Sequence, residues 1–592
     1  MKTPLICGAL LGAASLASAQ TELPEPMVVT ATRSPQALTD TLAATSIIDR
    51  ADIEISQAQD LLELMRLQAG VDMVRTGGPG GQTSLFMRGT NSNHLLVLID
   101  GVRVAATNTG GFQWENLPLA EIERIEIVRG PRASYYGSDA IGGVVQIFTR
   151  REDGVTLRAG YGSDDNRQAS ASFGERGERG GFSLSASWRE TDGFSAQNPS
   201  GFSFDPDDDG FRHLGLSLRA DYRLGPGQLE LSGLFADSET EFDQGVGDTG
   251  TQAVQLRYSF ATAGDWQHEV RGGYSHNGLD NDFGGFGTQF DSSRAQFAWL
   301  SRWQASPDLE LLGGVDAYEE QGENQGSFDQ ERYDIGAFTG IDWRPGRHEI
   351  NASLRVDDDE LFGSELTGQA AYGYNFARGF KAIASFGSAF RAPSFSQLFS
   401  PGFGGQFAGN PDLEPEESDS YELGLRFDRG RHRLSLSGYI TELDNLIDFA
   451  GENFQAINID EAEITGAELD YRWRHTHWQA AVTLTIQDAE NKDTGGDLLR
   501  RPDESASFTL DRSFAGGGSL GLEVFYNGKR SDIGGVTLDD YTLLNLRARW
   551  PIMDGLRVEG RVENLLDEDY QPAAGFNAQD LAGFVHLRWH TD

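Results

Sequence analysis

"HLGLSLRADYRL", residues 213 to 224, decides the fold. Leu214, Leu216, Leu218, Ala220, Tyr222 and Leu224 fall on one side of a two-residue period, with Ser217, Arg219, Asp221 and Arg223 on the other. A helix would scatter these leucines around its circumference, whereas an extended chain places them all on one face. Strands of soluble sandwiches run about five to six residues. This alternation continues through residue 224, far enough for a tilted strand to cross a bilayer, which takes roughly nine to eleven residues.

The pattern repeats outward from there. In "GFSLSASWRET" (181 to 191), Phe182, Leu184, Ala186 and Trp188 alternate with Ser183, Ser185, Ser187 and Arg189. Later copies carry Val482, Leu484 and Ile486, then Leu544, Leu546, Ala548 and Trp550, then Val585, Leu587 and Trp589. Aromatics at the ends of such runs (Trp188, Tyr222, Trp550, Trp589) suit the interfacial girdles of membrane barrels. Short turns such as "RLGPGQ" and "RPGRH" alternate with long polar loops such as 192 to 211 and 398 to 418. Divided among about 22 strands, residues 151 to 592 allow roughly 20 each with loops. The expectation is an all-β membrane protein, an antiparallel transmembrane β-barrel of about 22 strands. On the closing strand, Trp589 shares the lipid-facing register of Val585 and Leu587, and Thr591 and Asp592 are expected to trail beyond it.

Composition agrees. Lys2, the apolar run "LICGALLGAASLA" and Ala17-Ser18-Ala19 read as a signal peptide over 1 to 19, whose removal takes away Cys7, the only cysteine. No later stretch has 18 consecutive apolar residues, which excludes a conventional membrane helix. A net charge of −42 disfavours nucleic acid as a partner. A hydrophobic fraction of 38% is thin for a soluble core but enough for strands with one apolar face.

Residues 36 to 150 read as a separate small α/β domain. "DLLELMRLQAG" has helical spacing, "HLLVLIDGVRV" is a buried strand with an Asp-Gly turn, and "IERIEIVRGP" and "GGVVQIFTR" are further strands. Ahead of it, within 20 to 35, the β-branched run "MVVTATR" (27 to 33) has no partner strand beside it in sequence.

These segments, with "RGTNSNH", "YYGSDAIGG", "GSAFRAPSFSQLF", "NPDLEPEESDSYELGLR" and "VENLLDEDY", resemble the TonB-dependent outer-membrane receptors, and within them the cobalamin-receptor subfamily. The resemblance implies a bacterial outer-membrane barrel, 151 to 592, closed by an N-terminal plug, 36 to 150. It also implies a TonB box, Pro26, Met27, Val28, Val29, Thr30, Ala31, Thr32 and Arg33, hanging into the periplasm. There the box would add as a strand to TonB, the inner-membrane energy-coupling protein, through main-chain hydrogen bonds. A plainer reading makes Met27 to Thr30 the first strand of the plug itself.

"FDPDDDGF" (204 to 211) sets Asp205, Asp207 and Asp209 at alternate positions before Gly210, a spacing of oxygen ligands that suits calcium, though so acidic a chain also carries many merely solvated loops. The resemblance adds Asp243 and Asp248 as calcium ligands; one family aspartate is replaced by Ser195, with Asp192 as a substitute. It further implies cobalamin contacts at Gln82, Ser84, Asn91, Thr109 and Gly110 on Gly-rich plug loops, and at Arg500 on a barrel loop. No catalytic constellation stands out, and His268, His276, His475 and His477 are scattered. The alternatives to a cobalamin transporter are a ferric-siderophore or haem receptor of the same architecture, a passive porin, and a secreted carbohydrate-binding protein.

Overall fold

The computed structural model describes residues 26–243, 245–402 and 405–591, so the signal peptide expected over 1 to 19 lies outside the described residues. Twenty-two long antiparallel strands form a closed barrel. The ring is sealed by Gly154–Gly162 against Ala582–Thr591, with Leu157 opposite Trp589. Closure leaves no strand edge without hydrogen-bond partners, which is what lets a sheet stand in hydrocarbon.

The strand Phe328–Trp343 shows how the sequence sets the membrane position. Tyr333, Ile335 and Trp343 are exposed on the outer face, while Arg332 and Asp334 are buried on the inner one. From Tyr333 to Trp343 the outward register runs about 34 Å at roughly 3.4 Å per residue, or about 25 Å of height at a tilt near 45°. That matches the apolar band of an outer-membrane barrel. At its short-turn end the band finishes in aromatics, with Trp266 and Trp303 stacked at 5.5 Å. At the long-loop end the same outward register turns acidic, with Asp237, Asp248, Asp280, Glu319, Glu331 and Glu417 all facing out.

Inside the ring sits a five-stranded sheet, ordered Thr45–Asp49, Ile122–Arg129, Gly143–Thr149, Leu95–Ile99, Val102–Arg103. Leu95–Ile99 and Gly143–Thr149 pair in parallel. The Asp100-Gly101 turn has φ of 49° and 93°, the two positive values that a type I′ hairpin needs. Helices Arg50–Ser56 and Leu61–Met65 start on Asp49 and Asp60, whose carboxylates accept the N–H of Asp52 and Glu63. Leu61, Leu64, Met65, Val97, Ile99, Ile125, Val145 and Ile147 form the core.

Two expectations are corrected. The run "MVVTATR" does have a partner strand close by in sequence: Met27–Val28 pairs antiparallel with Gln36–Ala37, Met27 opposite Ala37 and Val28 opposite Gln36. Thr591 does not trail free either, while Asp592 lies outside the described residues. Trp589 faces outward as read, but Thr591 pairs with Val155, whose N–H donates to the Thr591 hydroxyl at 3.1 Å.

Candidate functional site

Two regions of the plug carry chemistry, one at each end of the barrel. At the short-turn end, residues 26 to 33 are folded back against the plug and do not hang free. Val28, Thr30 and Ala31 are buried, and only Met27 is well exposed. The cause is Glu126, ninety-odd residues away. Its Oε2 accepts the N–H groups of Val29 and Thr30, both at 3.0 Å, and the Thr30 hydroxyl at 2.6 Å. The Tyr136 hydroxyl donates to Thr30 O at 3.0 Å. Arg33 ties the segment to the barrel wall, donating to Asp316 Oδ2 at 2.6 Å and to Tyr135 O at 2.8 Å. With its main-chain N–H groups occupied, the segment cannot offer them to another protein until it undocks.

At the long-loop end, three plug loops form the apex. In the first, Gly81 N–H donates to Gly78 O at 3.1 Å, leaving Gln82 exposed, and Ser84 follows, half-buried, in Thr83–Met87. In the second, Asn91 opens a short 3-10 turn. The third presents Thr109, exposed, and Gly110, whose φ of 74° and close neighbour Arg391 leave no room for a side chain: a Cβ there would lie 2.7 Å from Nη2. Glu115 links the first and third loops by accepting the Thr83 N–H at 3.2 Å. Burial pushes its carboxyl up to about 7.

The barrel meets this apex with guanidinium groups that are already engaged. Arg391 is bound to Glu416 and donates to Gln397 at 3.0 Å. Arg500, the expected barrel contact, donates to Asp532 at 2.8 Å from a left-handed backbone, φ 66°. Its neighbour Arg501, which sequence reasoning passed over, is the one that crosses to the plug, where Nε donates to Gly89 O at 2.8 Å and Nη2 contacts Asn91 Oδ1. Only the doubled arginine in "LLRRPD" hinted at it.

The acidic loop is partly assembled. Asp243 Oδ1 accepts the Asp205 N–H at 2.7 Å, and Asp209 Oδ2 accepts the Ala196 N–H at 2.6 Å. Asp243 Oδ2 is buried with no hydrogen-bond partner. Burial first, then Asp243 and Asp207, push the Asp209 carboxyl up to about 6. Ser195 donates toward Asp205 O and Gln197 O, each at 2.9 Å, and so stitches the loop. Asp207 and Asp192 are exposed, and Asp248 stands on the outer face of the barrel opposite Asp280, away from the other four aspartates expected to bind calcium. Among the described residues no three His, Cys, Asp or Glu side chains are arranged to chelate a metal. An orphaned buried oxygen beside a carboxyl that resists ionisation nevertheless fits a cation, which would satisfy both.

Residues 37–144 match the family model TonB-dependent Receptor Plug Domain, and residues 130–565 match TonB dependent receptor-like, beta-barrel. The chain belongs to the TonB-dependent receptors. It is therefore an outer-membrane transporter, in a family of transport receptors and not of enzymes, and membership implies coupling to TonB. The vitamin B12 transporter BtuB of Photobacterium profundum is 33% identical, with 94% of each chain covered. Among solved structures, the ferric-catecholate import receptor Fiu from K12 E. coli superposes with a TM-score of 0.81 at 14% identity, over 97% of this receptor and 100% of that chain. A mutant of the ferric enterobactin receptor PfeA from Pseudomonas aeruginosa gives 0.79 at 16%, over 96% and 100%. Those two likenesses concern the fold alone.

Proposed function

We propose that this receptor takes up cobalamin, with Gln82, Ser84, Asn91, Thr109, Gly110 and Arg500 at the mouth. The observation that carries the choice between substrate classes is the commitment of the mouth's cations. Arg391 and Arg500 are neutralised by Glu416 and Asp532, and Arg501 spends its donors on protein oxygens. What remains facing outward is amide, hydroxyl and backbone from Gly-rich loops, suited to a large ligand rich in neutral amides. A ferric catecholate is a polyanion, and a chain of net charge −42 would have to receive it without a free cation at these positions. The vitamin B12 transporter among the relatives points the same way.

Two parts complete the reading. Calcium, held by Asp205, Asp207, Asp209 and Asp243, would order the long loops before ligand arrives, which lowers the entropic cost of binding; Asp248, from its position, would not contribute. The box, once undocked from Glu126, would add as a strand to TonB, and force from that partner would rearrange the plug. The test is a titration of the full-length receptor with cyanocobalamin, with and without calcium, beside a ferric catecholate. Tight binding of cyanocobalamin that weakens in chelator supports the whole reading. Binding only of the catecholate overturns the substrate, and indifference to chelator removes the calcium.

A further inference from the structure

Asn91 is held in one orientation by two groups that belong to neither the box nor the acidic loop. Its backbone is pinned from within the plug: the Asn91 N–H donates to His94 Nδ1 at 3.3 Å, and Asn91 O accepts the His94 N–H at 3.0 Å. His94 is fully buried, with Nε2 3.2 Å from Glu416 Oε1 on the barrel. An imidazole that accepts at Nδ1 carries its proton at Nε2. The side chain of Asn91 is fixed from the other side. Arg501 lies over the Phe86 ring at 4.4 Å with Nε on Gly89 O, Nη1 on Leu499 O and Nη2 on Asn91 Oδ1. A guanidinium has only donors, so the oxygen of the Asn91 amide must face it and the nitrogen must face away. Asn91 Nδ2 has no protein acceptor among the described residues, and the residue is half-buried at the start of the second apical loop.

We propose that Arg501 is a positioning residue that acts through Asn91: it turns the amide so that the mouth presents a pair of N–H donors there, and the ligand group seated on them is a hydrogen-bond acceptor such as an amide carbonyl. The ligand's identity rests on the cobalamin reading; the orientation does not. Replacing Arg501 frees the amide to turn its oxygen outward, so the loss in binding should appear only while Asn91 is present.

The experiment is a double-mutant cycle on the full-length receptor, titrated with cyanocobalamin, with heat-modifiable migration as the check on folding. Arg501→Met and Asn91→Ala should each weaken binding about tenfold, and the double variant should be no weaker than either. Asn91→Asp keeps an oxygen for Arg501 but loses the outward donors, so it should fold normally and bind as weakly as Asn91→Ala. Additive losses, or an Asn91→Asp variant that binds like the parent, would overturn the proposal. If the parent itself ignores cyanocobalamin, the substrate reading fails, and a ligand-free structure of Arg501→Met then decides the positioning role. An Asn91 side chain swung from its place supports that role, and an unmoved one refutes it.

Discussion

Thr30→Val should release the box. Valine has nearly the shape of threonine, so the buried pocket stays filled while the hydroxyl bond to Glu126, 2.6 Å long, disappears. A hydrogen bond to a charged group is worth about 1.5–3 kcal/mol, and the lower end applies because Glu126 Oε2 keeps the N–H donors of Val29 and Thr30. At about 1.5–2 kcal/mol the docked-to-undocked ratio falls roughly 10- to 30-fold. The assay is maleimide labelling of Val28→Cys, a position with no exposed surface while the segment is docked. If labelling waits on rare undocking, its rate follows the undocked population, so it should rise by that factor in the Thr30→Val background. Thr30→Ser, which keeps the hydroxyl, should stay within about threefold of the parent. Equal labelling of all three would mean that Glu126 does not hold the box.

Val29→Pro removes a donor that serves Glu126 in the docked state and a partner strand in the released one, so uptake should be lost while surface binding of ligand survives; loss of both, measured in the same cells, would make the segment structural. Glu115 sits with its carboxyl raised to about 7, so the folded plug binds a proton more tightly than the unfolded chain. That contribution is fully present below about pH 4.5 and is lost as pH rises through 7. Urea unfolding of the plug should therefore become easier from pH 5 to pH 7, and Glu115→Gln should flatten the slope; an equally steep variant would place the effect elsewhere. Trp589→Ala should lower the yield of the heat-modifiable form by removing an interfacial aromatic from the closing strand, whereas deleting Asp592 alone should not.

The barrel was legible because a two-residue period needs no knowledge of distant partners: Leu214 and Leu216 declare their face by themselves. The same arithmetic places Asp248 on the outer face, since it shares the register of Val246 and Leu256, whereas its expected calcium role rests on the family resemblance. The docking of the box was illegible for a physical reason. Glu126 lies within "IERIEIVRG", where its parity marks only a buried carboxylate in need of donors, and nothing local says that Val29 and Thr30 supply them. At the mouth, the sequence showed two adjacent arginines. Which of them reaches the plug depends on the left-handed turn at Arg500, a tertiary outcome.

The seal between Gly154–Gly162 and Ala582–Thr591 has a further consequence. Val155 and Thr591 stand 436 residues apart, so the contact that closes the ring joins the first barrel strand to the last and waits on every strand between them. Loop-closure entropy must be met before that contact returns anything, and until then both rim strands bear open edges. The ring therefore cannot exist in halves. Loss of the final strand leaves no smaller barrel, only an open sheet in a solvent that forbids open sheets.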